Sequence, residues 1–151
     1  MSGYVTFSMD GRELAASLDQ VREVVRATGI EQLRGVRAPV TGLLELRGQP
    51  LPVVDLRSPA DPGALGDVLV LIDGVTDGVH GSIGLAVDKV LAVVDPEALT
   101  GTAEPPASGL PGYVLEVLRT ADDEQRAVFL VDLYVLAGLG SPAGPASAAR
   151  R

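Results

Sequence analysis

The feature that most constrains this chain is its beat. Apolar runs of about five residues recur, each closed within a few positions by glycine, proline or an acidic turn. From residue 43 onward the runs are 43–46, 51–54, 68–72, 83–87, 90–94, 114–118 and 128–131. Five residues is an ordinary β-strand and well short of a typical packed helix. Between the runs stand Arg47-Gly48-Gln49, Asp73-Gly74, Asp77-Gly78 and Ala121-Asp122-Asp123-Glu124, residue types that turn the chain. Glycine and proline supply 18 and 11 of the 151 residues, enough punctuation for many short elements.

Upstream, Val5, Phe7 and Met9 alternate with Thr6 and Ser8, the period of two of a half-buried strand. Asp10-Gly11 follows, a pair suited to a type I′ hairpin turn, where both central residues need positive φ. Leu14-Ala15-Ala16 then reads as the returning strand. Residues 17–28 carry both signals: Leu18, Val21, Val24 and Val25 have helical spacing, while Val24-Val25 favours a strand. The reading here is a helical turn over 18–22 running into a strand. One proper helix is predicted, over 132–139, capped by Asp132, with Leu133, Leu136 and Ala137 on one face and Gly138 or Gly140 ending it. Residues 59–63 and 101–112 read as loops, and the Ala-, Ser-, Pro- and Gly-rich 141–151 as a disordered tail. Short strands at this spacing predict an all-β barrel or sandwich with a short C-terminal helix.

Composition narrows function by exclusion. With 12 basic against 20 acidic residues the net charge is −8, and a negative field repels both phosphate backbones and anionic lipid surfaces. Aromatic residues are 3% of the chain, leaving little for bases to stack on. There is no cysteine, hence no disulfide, thiolate metal site or cysteine nucleophile. No apolar run approaches the 18 or so residues of a membrane span. Residues 1–13 include Asp10 and Glu13 without a basic start and apolar core, so the expected compartment is the cytoplasm.

Chemistry-bearing clusters are equally sparse. His80 is the sole histidine; it lies beside a turn, Ser82 is outside any G-x-S-x-G elbow, and an unoriented base activates no nucleophile. It reads as a loop residue. Asp122-Asp123-Glu124 lacks the spaced ligands and glycine of a calcium loop and reads as an exposed hairpin tip. No phosphate-cradling glycine motif is present. The expectation is a protein with no metal, no cofactor and no catalytic residue.

Three runs share an ending: Val54-Asp55, Val87-Asp88 and Val131-Asp132. Aspartate terminates strands and caps helices well, and two similar barrels in one chain would leave the same trace.

The segment from Gly42 to Arg57, G-L-L-E-L-R-G-Q-P-L-P-V-V-D-L-R, is more specific. It resembles the signature G-V-x-N-L-R-G-x-x-[VL]-P-V-[IV]-D-L-R of the CheW family of chemotaxis coupling proteins. Leu18-Asp19-Gln20-Val21-Arg22-Glu23-Val24, Gly84-Leu85-Ala86-Val87-Asp88-Lys89-Val90 and Leu130-Val131-Asp132-Leu133 are similar to three further stretches of that family, in order, from about residue 4 to 139.

The resemblance implies two interlocked five-stranded SH3-like barrels within one CheW-like domain over 1–140, dividing near 60–85. It implies no enzymatic activity. Its expected partners are the regulatory domain of a CheA-type histidine kinase and the cytoplasmic tip of a methyl-accepting chemoreceptor, with self-association in arrays. One barrel would pair with the kinase, and the crevice between barrels would hold the receptor. A divergent coupler for another pathway, such as twitching motility, is the alternative; a small-molecule sensor around His80 is a third.

The matched residues suit binding. Arg47, beside Gly48 at the apex of a strand–turn–strand, would display five donors and a flat stacking face, where a bare turn charge would simply be solvated. Glu23 matches a glutamate expected close to that arginine. Val21 matches the same patch, although a valine there also suits the core. Where the family usually has asparagine this chain has Glu45, a charge able to pair with Arg47 or to retune partner choice. The connection over 57–67 is shorter than usual. Pro52, which cannot donate to a ladder, suggests an edge position or bulge, and Asp55 is expected to accept backbone N–H bonds at its strand end.

Overall fold

A computed structural model of the chain describes residues 3–32, 39–57, 66–76, 79–101 and 109–139, with backbone alone for 73–76 and 79–80. The described residues form strands β1 (Tyr4–Met9), β2 (Arg12–Ser17), β3 (Val21–Arg26), β4 (Glu31–Gln32), β5 (Gly42–Leu46) and β6 (Gln49–Asp55). They continue with β7 (Asp67–Thr76), β8 (Val79–Val87), β9 (Lys89–Val94), β10 (Leu99–Gly101), β11 (Val114–Thr120) and β12 (Ala127–Val131), then the single-turn helix α1 (Leu133–Leu136). The tail 141–151 and the loop 59–63 lie outside the described residues.

Two sheets result, ordered β10-β11-β12-β2-β1-β9 and β3-β7-β8-β6-β5-β4. Each has five strands of ordinary length and one short outer strand, β10 of three residues and β4 of two. Both follow one plan, in which a hairpin's second strand runs parallel to a later strand: β2 beside β12 and β6 beside β8. Two of the three Val-Asp endings, Val87-Asp88 and Val131-Asp132, therefore share a cause, since β8 and β12 hold equivalent places in their sheets. The second sheet is built from the contiguous stretch between Val21 and Val87, and the first from the chain on either side of it. The chain changes sheets twice, at the 3₁₀ turn Leu18–Gln20 and at Asp88. Of the 60–85 region expected to hold one divide, the described residues 67–76 and 79–85 belong to the second sheet.

Three apolar clusters fill this arrangement. Ala27, Leu44, Leu51, Val53, Val68, Val70 and Ala86 pack on the inner face of the second sheet. Tyr4, Ala15, Leu99, Leu118 and Val128 do so in the first. Between the sheets lies the largest cluster, where Val5, Phe7, Leu14 and Ala16 meet Val54, Leu69, Leu71, Ile83, Leu85 and Val87. Val68 and Val70 thus point one way, and Leu69 and Leu71 the other. A strand covered on both faces has no polar side, and so 68–72 and 83–87 are unbroken apolar runs rather than alternating ones.

The C-terminal turn is pinned to both sheets. Asp132 Oδ1 accepts from the amides of Tyr134 and Val135 and from Gln20 Nε2, while Gln20 Oε1 accepts from the Leu133 amide at 3.0 Å. The buried Tyr134 donates its hydroxyl to the Ile72 carbonyl of β7. Gly138 (φ 81°) ends the helix, with its amide on Val135 and the Leu139 amide on Tyr134, the Schellman pairing of a left-handed C-terminal residue. The helix accordingly stops at Leu136, shorter than the 132–139 the sequence suggests.

One sequence expectation is refined and one corrected. Pro52 lies in β6, an internal strand, yet it holds a local edge position, because pairing to β8 begins only at Val53 and leaves β5 as the one neighbour there. His80 is a strand residue of β8 opposite Val75, not a loop residue, because the strong 83–87 run propagates pairing back through the hairpin.

Leu69→Ala should lower unfolding free energy by about 2–5 kcal/mol, since its fully buried side chain sits between the sheets. At Gly84 a Cβ would meet Val68 Cγ1 at 2.6 Å and Leu51 Cδ2 at 3.0 Å, so Gly84→Ala should cost about 1–3 kcal/mol by overpacking. Denaturant unfolding of each variant against the parent measures both.

Candidate functional site

β5 and β6 are joined by the two-residue turn Arg47-Gly48, with φ of 49° and 81°. The β1–β2 turn Asp10-Gly11 has nearly the same geometry, 52° and 78°. Both are type I′ in character, and the first position favours Asn, Asp or Gly because short polar side chains tolerate left-handed backbone. Asp10 obeys that preference. Arg47 does not: a long side chain is held where local propensity disfavours it, the kind of backbone outlier that persists when the surroundings or a function demand it.

The surroundings supply one partner. Arg47 Nη1 donates to Glu23 Oε1 at 3.0 Å and Nη2 to Glu23 Oε2 at 2.5 Å, the fork-to-fork pairing that a guanidinium makes with a carboxylate. Glu23 belongs to β3, at the far edge of the sheet from β5, with β7, β8 and β6 between them. Direct contact across three intervening strands, each about 4.8 Å wide, requires the sheet to curl back on itself. Ala27 and Val25 share one apolar cluster with Leu44 and Leu46, which reports the same curl.

A bulge in β3 aims the glutamate. Val21 pairs with Leu71 and Glu23 with Val70, so the register shifts by one residue at Arg22. In a regular strand Val21 and Glu23 would share a face. The extra residue separates them, sending Val21 with Leu71 toward the inter-sheet core and Glu23 with Val70 toward the inside of the curl. Arg22 itself donates to Ser82 Oγ on β8 at 2.8 Å.

The hydrogen bonds from Arg47 hold the Glu23 carboxyl below its ordinary value of 4.5, with the charges of Arg47 and Arg22 acting in the same sense. Arg47 is in turn raised by Glu23. A carboxyl group depressed on folding adds stability above its unfolded pKa, and that share fades as pH falls through the lower folded value. The pair therefore persists to lower pH than an unpaired glutamate would allow. Because 68% of the Arg47 side chain remains exposed, one face and the remaining donors of the guanidinium are free for another molecule while its orientation is set. Such an exposed pair contributes little to stability.

Of the residues singled out from sequence, Arg47, Gly48 and Glu23 come together. Val21 does not join them, being half-buried on the opposite face. Glu45 is exposed on β5 and leaves Arg47 to Glu23. It borders, with Gly48, Ile30, Leu43 and Pro50, a surface groove of about 510 Å³. The crevice between the sheets is distinct from that groove, about 520 Å³ lined by Val24, Arg26, Asp67, Asp88, Lys89 and Val90.

Sequence reading missed the role of Arg57. Its amide and Nε donate to Asp55 Oδ1 at 2.9 and 3.0 Å, and Nη2 to Oδ2 at 2.8 Å, and both side chains are largely covered. Burial pushes the Asp55 carboxyl up, and these hydrogen bonds more than offset it, leaving it below the usual range. The signal was present: Asp and Arg two apart at a strand end share a side of the chain. The motif's second arginine is thus part of the frame, and its first is on display.

Residues 3–139 match the CheW-like domain. The chain belongs to the CheW-like family. This is a family of scaffold and adaptor proteins of chemotaxis. Among solved structures, the scaffolding protein TtCheW from Thermoanaerobacter tengcongensis is similar in fold, with a TM-score of 0.61 at 22% identity over 88% of this chain and 86% of that one. Comparison with curated protein sequences gave no match. Two sheets of shared plan with one short helix are the CheW-like architecture.

In an NMR titration of carboxyl shifts, Glu23 should have its midpoint below 4.5 and move upward in Arg47→Gln. Melting temperature near neutral pH should stay essentially that of the parent. An unmoved Glu23 midpoint would mean that the pair does not persist in solution.

Proposed function

We propose that this CheW-like chain is a non-catalytic cytoplasmic adaptor that couples methyl-accepting chemoreceptors to a CheA-type histidine kinase, and that Arg47 is its principal contact. The observation that carries this reading is an arginine in a left-handed turn position, gripped by Glu23 yet mostly exposed. A charge needed only for solubility would sit anywhere on the surface without straining a hairpin. Held on a rigid turn, the guanidinium loses little side-chain freedom when a partner arrives, which is how a preorganised Arg becomes an interface anchor.

Glu23 is then a positioning residue for Arg47, and Gly48 keeps the turn open. Val21, half-buried against the inter-sheet cluster, would act apart from Arg47; the crevice would take the receptor tip, while one of the two units pairs with the kinase's regulatory domain. A divergent coupler for another chemosensory pathway is favoured by one feature, the exposed Glu45 beside the groove, where the family usually has asparagine. An added carboxylate there selects a partner with a complementary cation.

The test is capture by the tagged full chain from the source organism, with bound proteins identified by mass spectrometry. A CheA-type kinase or chemoreceptor should be recovered. Arg47→Glu should weaken that capture by about tenfold to a hundredfold, as loss of an interface anchor does, while melting as the parent does. Undiminished capture by a folded Arg47→Glu, or unfolding of that variant, would overturn the site assignment. Recovery of neither class of protein would move the reading to the divergent coupler.

A further inference from the structure

An outer strand offers unpaired N–H and C=O groups, and proteins protect such edges by shortness, charge, proline or a cover. The two sheets have four outer strands among the described residues: β3, β4, β9 and β10. β4 and β10 are too short to template another strand. β3 alternates, and its exposed positions include the charged Arg22 and Arg26. β9 has neither protection. It is six residues long, Lys89-Val90-Leu91-Ala92-Val93-Val94, with no proline and no charge after its first residue.

Its side chains are as open as its backbone. Leu91 is 45% exposed, and Val93, at 64%, is the most exposed large apolar side chain among the described residues. Among the described residues β9 pairs only with β1, and a bulge there, between the pairs Thr6–Ala92 and Phe7–Val90, leaves Leu91 out of register. Bulges commonly blunt an edge; this one presents a leucine rather than a charge.

The ends of the strand say what covers it. A two-fold axis through Ala92 in an antiparallel pairing opposes Lys89 to Asp95, Val90 to Val94 and Leu91 to Val93. The segment is self-complementary, with apolar residues meeting in the middle and opposite charges meeting at both ends. Within one chain Lys89 and Asp95 are six residues apart, about 20 Å along an extended strand, too far to pair with each other. Neither has an ion-pair partner among the described residues.

We infer that β9 is a self-association edge, pairing antiparallel with β9 of a second copy about an axis through Ala92 and joining the two first sheets into one. The contact is isologous, so it closes at a dimer. Six residues a side make a small interface, so the association is weak and depends on concentration. It uses a surface separate from the Arg47 hairpin and does not rest on the coupling role.

Sedimentation velocity of the full chain from about 1 μM to about 1 mM reads this directly. The mass should rise from 15.6 kDa toward twice that value. Val93→Lys should remain monomeric, and its far-ultraviolet circular dichroism should match the parent's because the side chain is already in solvent. Lys89→Asp and Asp95→Lys should each weaken dimerisation, and the two together should restore it, a rescue available only between copies. A single 15.6 kDa species across the whole range, an undisturbed dimer in Val93→Lys, or a double swap no better than the single changes would each overturn the assignment. Should Val93→Lys unfold, the charge-swap series decides alone.

Discussion

The apolar contact between the two sheets is the constraint on which the rest depends. Val5, Phe7, Leu14 and Ala16 of one sheet meet Leu69, Leu71, Leu85 and Val87 of the other, and each fully buried Val, Leu or Phe among them contributes about 1.5–3 kcal/mol. Because the strands that form this layer also carry an inner core, their two faces are both committed. The second sheet is inserted between β2 and β9 of the first, so the first is complete only when the chain on both sides of the second is in place. Gln20, at the first crossing, and Tyr134, just after β12, lock the same junction through hydrogen bonds on Asp132, Leu133 and Ile72.

This frame determines what the arginine hairpin can do. Curl in the second sheet follows from packing its inner cluster, and the curl alone brings the edge strand β3 within reach of the β5–β6 turn. The bulge at Arg22 then divides the work of neighbouring residues, Val21 to the core between sheets and Glu23 to the guanidinium. An adaptor without chemistry of its own depends on surfaces that are already in place when partners arrive, since ordering them on binding would cost affinity. A strained turn on a doubly packed sheet meets that need. The two arginines of the motif illustrate the division: Arg57 is half of a covered clamp with Asp55, and Arg47 faces solvent.

Edges are where the frame stays incomplete. Two outer strands are short, one carries charge, and β9 is left long and apolar. In a chain of net charge −8, which keeps copies apart in general, a six-residue strand with no acidic residue and a single lysine at its start is a local exception to the overall repulsion.

Strand identity and much of the turn chemistry were legible in the residues themselves. Continuous runs such as 68–72 fit doubly covered strands, Asp10-Gly11 and Arg47-Gly48 marked hairpins, and Asp132 marked a helix start, because these depend on local period and backbone preference. The L-R-G…P-V-V-D-L-R block carried the family and, with it, the expected proximity of Glu23 to Arg47. Other features came from contacts distant in sequence. That His80 lies in a strand, that Pro52 sits in an internal one, and that Val21 turns away from Glu23 depend on registers between β7 and β8, β6 and β8, and β3 and β7. No local pattern encodes a one-residue bulge, yet it reverses which face a side chain takes. The sequence by itself determined the elements and the residues able to bind; only tertiary structure decided which of them share a surface, because sheet curl and register are set by packing across the whole chain.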